Sequence, residues 1–258
     1  MESTRPIKFA FMGSSRFSEY VLEELKKADY FPTIDIQSAK EDLPLAELKA
    51  KDLDLIIVAS FGKIIPKEVL DLPKFGCLNV HPSLLPKYRG PSPIQSQLLD
   101  MACRGVGVSI IKMDEKMDHG PIIAQEVVEV SPWPDHYDVV EEKLGQAGGA
   151  LLANIMQSWI EGDLEAKSQE DSEATFVKMI KKEDGLLNLN DDAEKNWRKV
   201  LAYSTWPQAH FIHKRKDGKE IRVVVKDAEI KDGIFTPLRV VPAGKKEMDW
   251  ESFLKGNA

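Results

Sequence analysis

The stretch Leu53-Asp54-Leu55-Ile56-Ile57-Val58-Ala59-Ser60 constrains the fold more than any other part of the chain. It is apolar almost throughout, with no alternation. A strand of this kind needs cover on both faces, which is the situation of a parallel strand inside an α/β sheet. The flanking sequence repeats the theme. Ile7 to Met12 reads as a buried strand, Gly13-Ser14-Ser15 as a turn, and Phe17 to Lys27 as a helix with apolar residues at Phe17, Val21 and Leu25. Thr33 to Gln37 reads as a short strand, Leu43 to Lys49 as a helix, and Lys67 to Leu72 as a helix bounded by prolines. Gly76 to His81, Gly105 to Met113 and Ile122 to Val130 follow as strands, and Asp138 to Ile160 as a long helix. Alternating strands and helices predict a Rossmann-like, doubly wound α/β sheet, with ligands outside the carboxyl ends of its strands.

The remainder reads differently. Gly162 to Gly185 is polar and resembles a linker, and Ala193 to Tyr203 is helical. Phe211 to His213, Glu220 to Val225 and Ile234 to Val241 alternate around Asp217-Gly218 and Asp232-Gly233, which are hairpin signals. The expected organisation is a catalytic domain over 1–177, a linker over 178–196, and a small antiparallel β domain over 197–258. At 43% hydrophobic and 30% charged, the 258 residues have ample material for a core.

Charge and cysteine content narrow the function. The net charge is −7, unevenly spread: from Arg198 onward there are 13 Lys+Arg against 8 Asp+Glu, with 22 and 34 before it. An acidic body with a basic appendage fits either a polyanion-binding face or a solvated β surface. Two cysteines, Cys77 and Cys103, are too few for a disulfide framework or a four-cysteine zinc site, so they read as reduced thiols of a cytoplasmic protein. Residues 1–5 lack the long apolar region of a secretory leader, and no apolar run approaches the ~18 residues of a membrane span. Gly13-Ser14-Ser15 lacks the later glycines of a dinucleotide fingerprint.

The informative segment is Asn79-Val80-His81-Pro82-Ser83-Leu84-Leu85-Pro86-Lys87-Tyr88-Arg89-Gly90. On a strand, Asn79 and His81 share a face. An amide donor beside an imidazole suits a transition state that develops an oxyanion while a proton moves. Prolines 82, 86, 91 and 93 stiffen the loop after His81. From the residues alone a structural histidine remains the alternative. Asp118, in Met113-Asp114-Glu115-Lys116-Met117-Asp118-His119-Gly120, falls in a turn between two strands, where a solvated acidic loop is the usual outcome.

Together, Asn-x-His-x-Ser-Leu-Leu-Pro-x-Tyr-Arg-Gly and the later Met-Asp-x-x-Met-Asp-x-Gly resemble the folate-dependent formyltransferase family. Weaker likeness runs through Ser60-Phe61-Gly62-Lys63-Ile64-Ile65-Pro66, Trp206-Pro207 and Pro237 to Lys246. The resemblance implies formyl transfer from 10-formyltetrahydrofolate to an amine, without a metal. It implies Asn79, His81 and Asp118 as the catalytic trio and Ser83, Leu84, Leu85 and Pro86 as the folate-binding loop. Phe61, Ile64, Ile65, Met113, Asp114 and Met117 would line the pterin pocket. The likeness is greatest to members whose acceptor is an aminoacylated initiator tRNA. It therefore implies folate and tRNA as partners of a cytoplasmic monomer, with Lys87, Arg89, Lys214, Arg215, Lys216, Lys219 and Arg222 as the candidate grip on phosphate. Two features depart from that branch: the region between Tyr30 and Leu53 is short, and the C-terminal domain is abridged. An amino sugar on a nucleotide, or water, would be the alternative acceptor, and a non-catalytic folate- or RNA-binding module the alternative class.

Overall fold

The structure is a computed structural model that describes residues 6–257 apart from 102 and 104. The chain divides into two compact units. One is built from the chain up to Pro93, Gly105–Glu129 and Glu141–Lys178. The other is built from Ile94–Arg104, Val130–Val140 and Met179 to the C-terminus.

The first unit is a six-stranded sheet with helices. In chain order it contains β1 (Phe9–Gly13), α1 (Arg16–Lys27), β2 (Ile34–Ile36), α2 (Leu45–Ala50), β3 (Leu55–Ala59), α3 (Lys67–Leu70) and β4 (Cys77–His81). After α4 (Pro93–Leu99) it resumes with β5 (Val106–Lys112), β6 (Ile122–Val128) and most of α5 (Tyr137–Glu161). The strand order is β2-β1-β3-β4-β5-β6. The first four strands are parallel, whereas β5 and β6 each run antiparallel to the strand before, so the sheet is mixed.

The expected cover on both faces is present. Ala10, Met12, Ile56 and Val58 pack with Ile34, Leu48, Phe61, Ile65, Val69 and Cys77 into one buried cluster. Phe9, Phe11, Leu55 and Ile57, one step out of phase, point to the opposite face and are equally buried. Removing each β3 aliphatic side chain from water contributes about 2 kcal/mol. Helix α1 begins cleanly because Ser15 caps it. The Ser15 hydroxyl accepts from the Ser18 N–H, and the Ser18 hydroxyl accepts from the Ser15 N–H. On β4, Val80 lies against Gly148 of α5. Asn79 and His81, alternating with it, turn to the other face.

The second unit carries α6 (Ala193–Ala202), β7 (His210–Lys214), β8 (Glu220–Lys231), β9 (Ile234–Pro242), β10 (Met248–Asp249) and α7 (Trp250–Asn257). Its sheet is an antiparallel meander, β10-β9-β8-β7. The Asp232-Gly233 turn has φ of 52° and 76°, the doubly left-handed geometry that a two-residue hairpin demands. Strand β8 runs to Lys231, past the expected Val225, through a register shift near Asp227. Helix α7 docks by aromatic contact, with Phe253 edge-on to Phe211 and His213 and stacked on Trp250. Arg198 of α6 is buried and donates to the Leu98 and Asp100 carbonyls.

Candidate active site

The site grows from the end of β4. Asn79 and His81 are 9% and 4% exposed, and β4 is paired on both sides, with His81 opposite Ser109 of β5. Two buried polar side chains on a paired strand need partners, and Asp118 hydrogen-bonds one and faces the other. Asn79 Nδ2 donates to Asp118 Oδ1 at 3.3 Å, and His81 Nδ1 lies 3.6 Å from the same oxygen. The other oxygen, Oδ2, accepts from the Gly90 N–H at 2.8 Å. His81 Nε2 lies 3.2 Å from the Tyr88 carbonyl. Both ring nitrogens thus face oxygen acceptors.

Asp118 sits in the β5–β6 connection with φ 51°. An aspartate tolerates the left-handed region better than most residues, and such backbone concentrates at functional sites. Gly120 completes the turn. A Cβ there would collide with the Lys112 carbonyl, so only glycine lets the loop close this tightly.

The loop after His81 is pinned from several sides. Ser83 Oγ donates to the Lys87 carbonyl at 2.7 Å. Ser109 Oγ donates to the Ser83 carbonyl at 2.6 Å and accepts from the Leu85 N–H at 3.0 Å. Gln125 donates to the Leu85 carbonyl at 2.9 Å. The Leu85–Pro86 peptide is cis, and Tyr88 has φ 61°. The run 167–177, which reads from sequence as linker, crosses this loop. Thr175 Oγ1 accepts from the Tyr88 N–H, the Thr175 carbonyl accepts from the Arg89 N–H, and Val177 N–H donates to the Arg89 carbonyl. Gly90, at φ 126°, lies under that crossing, where a Cβ would strike the Val177 carbonyl.

The structure brings Asn79, His81 and Asp118 together. Among the other residues singled out from sequence, Ser83 and Leu85 are buried, and Leu84 and Pro86 are half-buried. Phe61 and Ile65 belong to the buried cluster against which half-buried Met113 packs. Ile64 and Met117, by contrast, are 80% and 59% exposed. Lys67 and Glu115 pair at 3.2 Å and tie the segment after Phe61 to the loop that bears Met117. Asp114 meets His119 Nδ1 at 2.6 Å.

Arg89 corrects an expectation. It is no exposed phosphate grip: it is 3% exposed, pairs with Asp171 at 2.8 Å, and donates through Nε to Gln169 at 3.0 Å. The bond to Asp171 holds that carboxyl below its usual range. Lys87, Lys214, Arg215, Lys216 and Lys219 are exposed, whereas Arg222 is half-buried and donates to the Pro207 carbonyl. Sequence reasoning missed Ser109, Gln125, Gln169, Asp171 and Thr175. Their one signal is negative: a polar stretch after α5 with no glycine or proline between 163 and 184 is poorly suited to a flexible tether.

Cys77 and Cys103 are both buried. Burial, and secondarily Asp71, pushes the Cys77 thiol up to about 12, far from a neutral-pH nucleophile. Among the described residues, no three His, Cys, Asp or Glu side chains cluster as metal ligands, and no helix is long and apolar enough to cross a membrane.

The sequence matches the formyl transferase family over residues 15–156 and the formyl transferase C-terminal domain over residues 179–237. The methionyl-tRNA formyltransferase of Thermotoga maritima is 41% identical over 178 residues, covering 69% of this chain and 56% of that protein. The chain thus spans little more than half the length of that relative. The methionyl-tRNA formyltransferase of Bacillus licheniformis is 34% identical over 248 residues, covering 87% of this chain and 77% of that protein. Among solved structures, methionyl-tRNA formyltransferase from Clostridium thermocellum superposes with a TM-score of 0.68 at 18% identity, covering 94% of this chain and 99% of that one. A sugar N-formyltransferase from a Shewanella species does so with a TM-score of 0.65 at 19% identity, covering 88% and 100%. At such identities these two likenesses speak to fold alone.

Proposed function

The chain belongs to the formyl transferase family, and from that premise we propose that it moves a formyl group from 10-formyltetrahydrofolate to the amino group of methionyl-tRNA, for translation initiation in the cytoplasm. The observation that carries the transfer chemistry is the meeting of Asn79, His81 and Asp118 around one carboxylate oxygen. The acceptor rests on the relatives, which bear that name.

The donor supplies an activated formyl carbon. The structure fits such a ligand on two counts. Exposed Ile64 and Met117 lie on tethered neighbouring segments and offer apolar surface to a flat ring system. The buried polar trio marks where charge develops. Asn79 Nδ2 has two protons and gives one to Asp118, so the second remains for the formyl oxygen as the amine adds to the carbon. His81, beside the Asp118 carboxylate and the Tyr88 carbonyl, takes the proton that the attacking nitrogen sheds and passes it to N10 of the folate as the bond from the formyl carbon to N10 breaks, releasing tetrahydrofolate and the formylated amine. Asp118 orients the imidazole and balances its charge. The hydrogen-bonded loop from Ser83 to Pro86 forms the rigid wall of the donor site.

One assay decides the acceptor. Purified protein and 10-formyltetrahydrofolate are offered methionyl-tRNA, a nucleotide-linked amino sugar, or water alone. The expected product is formylmethionyl-tRNA. Formylated sugar, or formate released equally without an amine, would replace this reading by a sugar transferase or a hydrolase.

A further inference from the structure

Gln169 joins the segment after α5 to the back of the Asp118 turn. Its Nε2 donates to two carbonyls, that of Asp118 at 2.9 Å and that of Gly120 at 2.7 Å. Its Oε1 accepts from Arg89 Nε at 3.0 Å. The amide therefore uses both N–H groups and its carbonyl. Its orientation is also fixed: a flipped amide would set Oε1 against two carbonyl oxygens and an N–H against the guanidinium. Arg89, buried and paired with Asp171, anchors this bracket.

The bracketed element is the one that needs support. Asp118 holds a left-handed φ of 51°, a conformation that costs a non-glycine residue free energy and persists only where its surroundings impose it. The carboxylate reaches Gly90, Asn79 and His81 only while the turn keeps that shape. We propose that Gln169 is a positioning residue: by clamping the carbonyls of Asp118 and Gly120 it fixes the turn that aims the Asp118 carboxylate at Asn79, His81 and the Gly90 N–H. The assignment rests on Asp118 serving the site as proposed above. It adds a residue that touches no reacting atom and lies 51 positions further along the chain.

The first test is Gln169→Ala in the full chain, read without turnover. The Gly90 amide should exchange with solvent about tenfold faster or more, because its acceptor has drifted. The Val177 amide, bonded to the Arg89 carbonyl, should keep its protection and show that the crossing segment is still in place. Turnover is the second readout. kcat for formyl transfer should fall about 100-fold, the scale of an ångström-level misplacement, with KM for the folate within about twofold. Combining Gln169→Ala with Asp118→Asn should be no slower than Asp118→Asn alone, since one acts through the other. Should Gln169→Ala lose its cooperative melt, Gln169→Glu keeps the length, sets an oxygen against the same carbonyls, and decides by the same comparisons. Unchanged Gly90 protection, or rate losses that multiply in the double variant, would overturn the positioning role. Full activity in Asp118→Asn would instead sink the reading of the site, while the Gly90 exchange result still reports on the clamp.

Discussion

At the scale of single residues, the proposed chemistry turns on which polar hydrogens are committed and which are left for substrate. Asn79 is the sharpest case: one amide proton goes to Asp118, and the proposed mechanism gives the other to substrate. Asn79→Ala should therefore lower kcat by about 100- to 1000-fold, the usual loss with an oxyanion donor. It should cost folding no more than the ~1 kcal/mol of a single hydrogen bond. Steady-state kinetics beside a thermal melt separates the two, and near-full turnover would remove Asn79 from the chemistry. Gly120→Ala should act through shape instead. The new methyl group must displace the Lys112 carbonyl, so stability should drop by about 1–3 kcal/mol, as overpacking does, and the Asp118 turn should open. An unchanged denaturation midpoint would show that the turn yields freely. Asn79 and His81 are legible in the sequence because a strand's period of two sets them on one face. The place of Asp118 beside them comes from resemblance alone, since nothing local brings a turn 37 residues after His81 back to it. Arg89 misleads because a basic residue in a loop is usually solvated, and nothing near it in sequence announces Asp171 and Gln169.

At the scale of elements, apolar period decides what is legible. β1 and β3 are fully buried and stand out as continuous apolar runs, whereas β4, also buried, interrupts its run with Asn79 and His81. The hairpins stand out through Asp-Gly. Helix α4 reads from sequence as part of a proline-stiffened loop, although Pro93 suits a first helical position. Helix α7 docks through Trp250 and Phe253, too few residues to display a period. The segment over 167–177 is illegible for a further reason: it is held by backbone and side-chain hydrogen bonds to Pro86, Tyr88 and Arg89, which leave no hydrophobic pattern. Its charged tie gives a test by pH. The Arg89 bond lowers the Asp171 carboxyl, so the tie is complete above the ordinary carboxylate value of ~3.9 and is lost as pH falls through the lower folded value. Asp171→Asn should melt earlier than the parent at neutral pH, and the gap should close in acid once both side chains are neutral. A gap that persists in acid would mean that shape, not charge, fixes the segment.

At the scale of the whole molecule, the question is how a chain of net charge −7 would hold the polyanionic acceptor proposed for it. The bases from Arg198 onward outnumber the acids by 13 to 8, and four of them, Lys214, Arg215, Lys216 and Lys219, are exposed on and around the β7–β8 turn. Arg215 is only loosely engaged, 3.8 Å from Asp217. Arg222, by contrast, is half-buried and donates to a backbone carbonyl. Each phosphate the turn neutralises releases counterions, so binding should weaken with salt at a log–log slope of about −0.7 to −0.9 per neutralised phosphate. Reversing Lys214, Arg215 and Lys216 to Glu should raise KM for methionyl-tRNA at low salt. It should also flatten that slope by about two to three units, as each of the three positions gives up its phosphate. KM for the folate should not move, because the changes lie in a different unit from Asn79, His81 and Asp118. An acceptor too small to reach the turn, such as a nucleotide-linked amino sugar, would be indifferent to the reversal. A steep, unaltered salt slope in the triple variant would move the tRNA grip elsewhere on the protein. A salt-insensitive KM in the parent would take away the electrostatic argument for a nucleic acid acceptor, leaving only the transfer chemistry built around Asn79, His81 and Asp118.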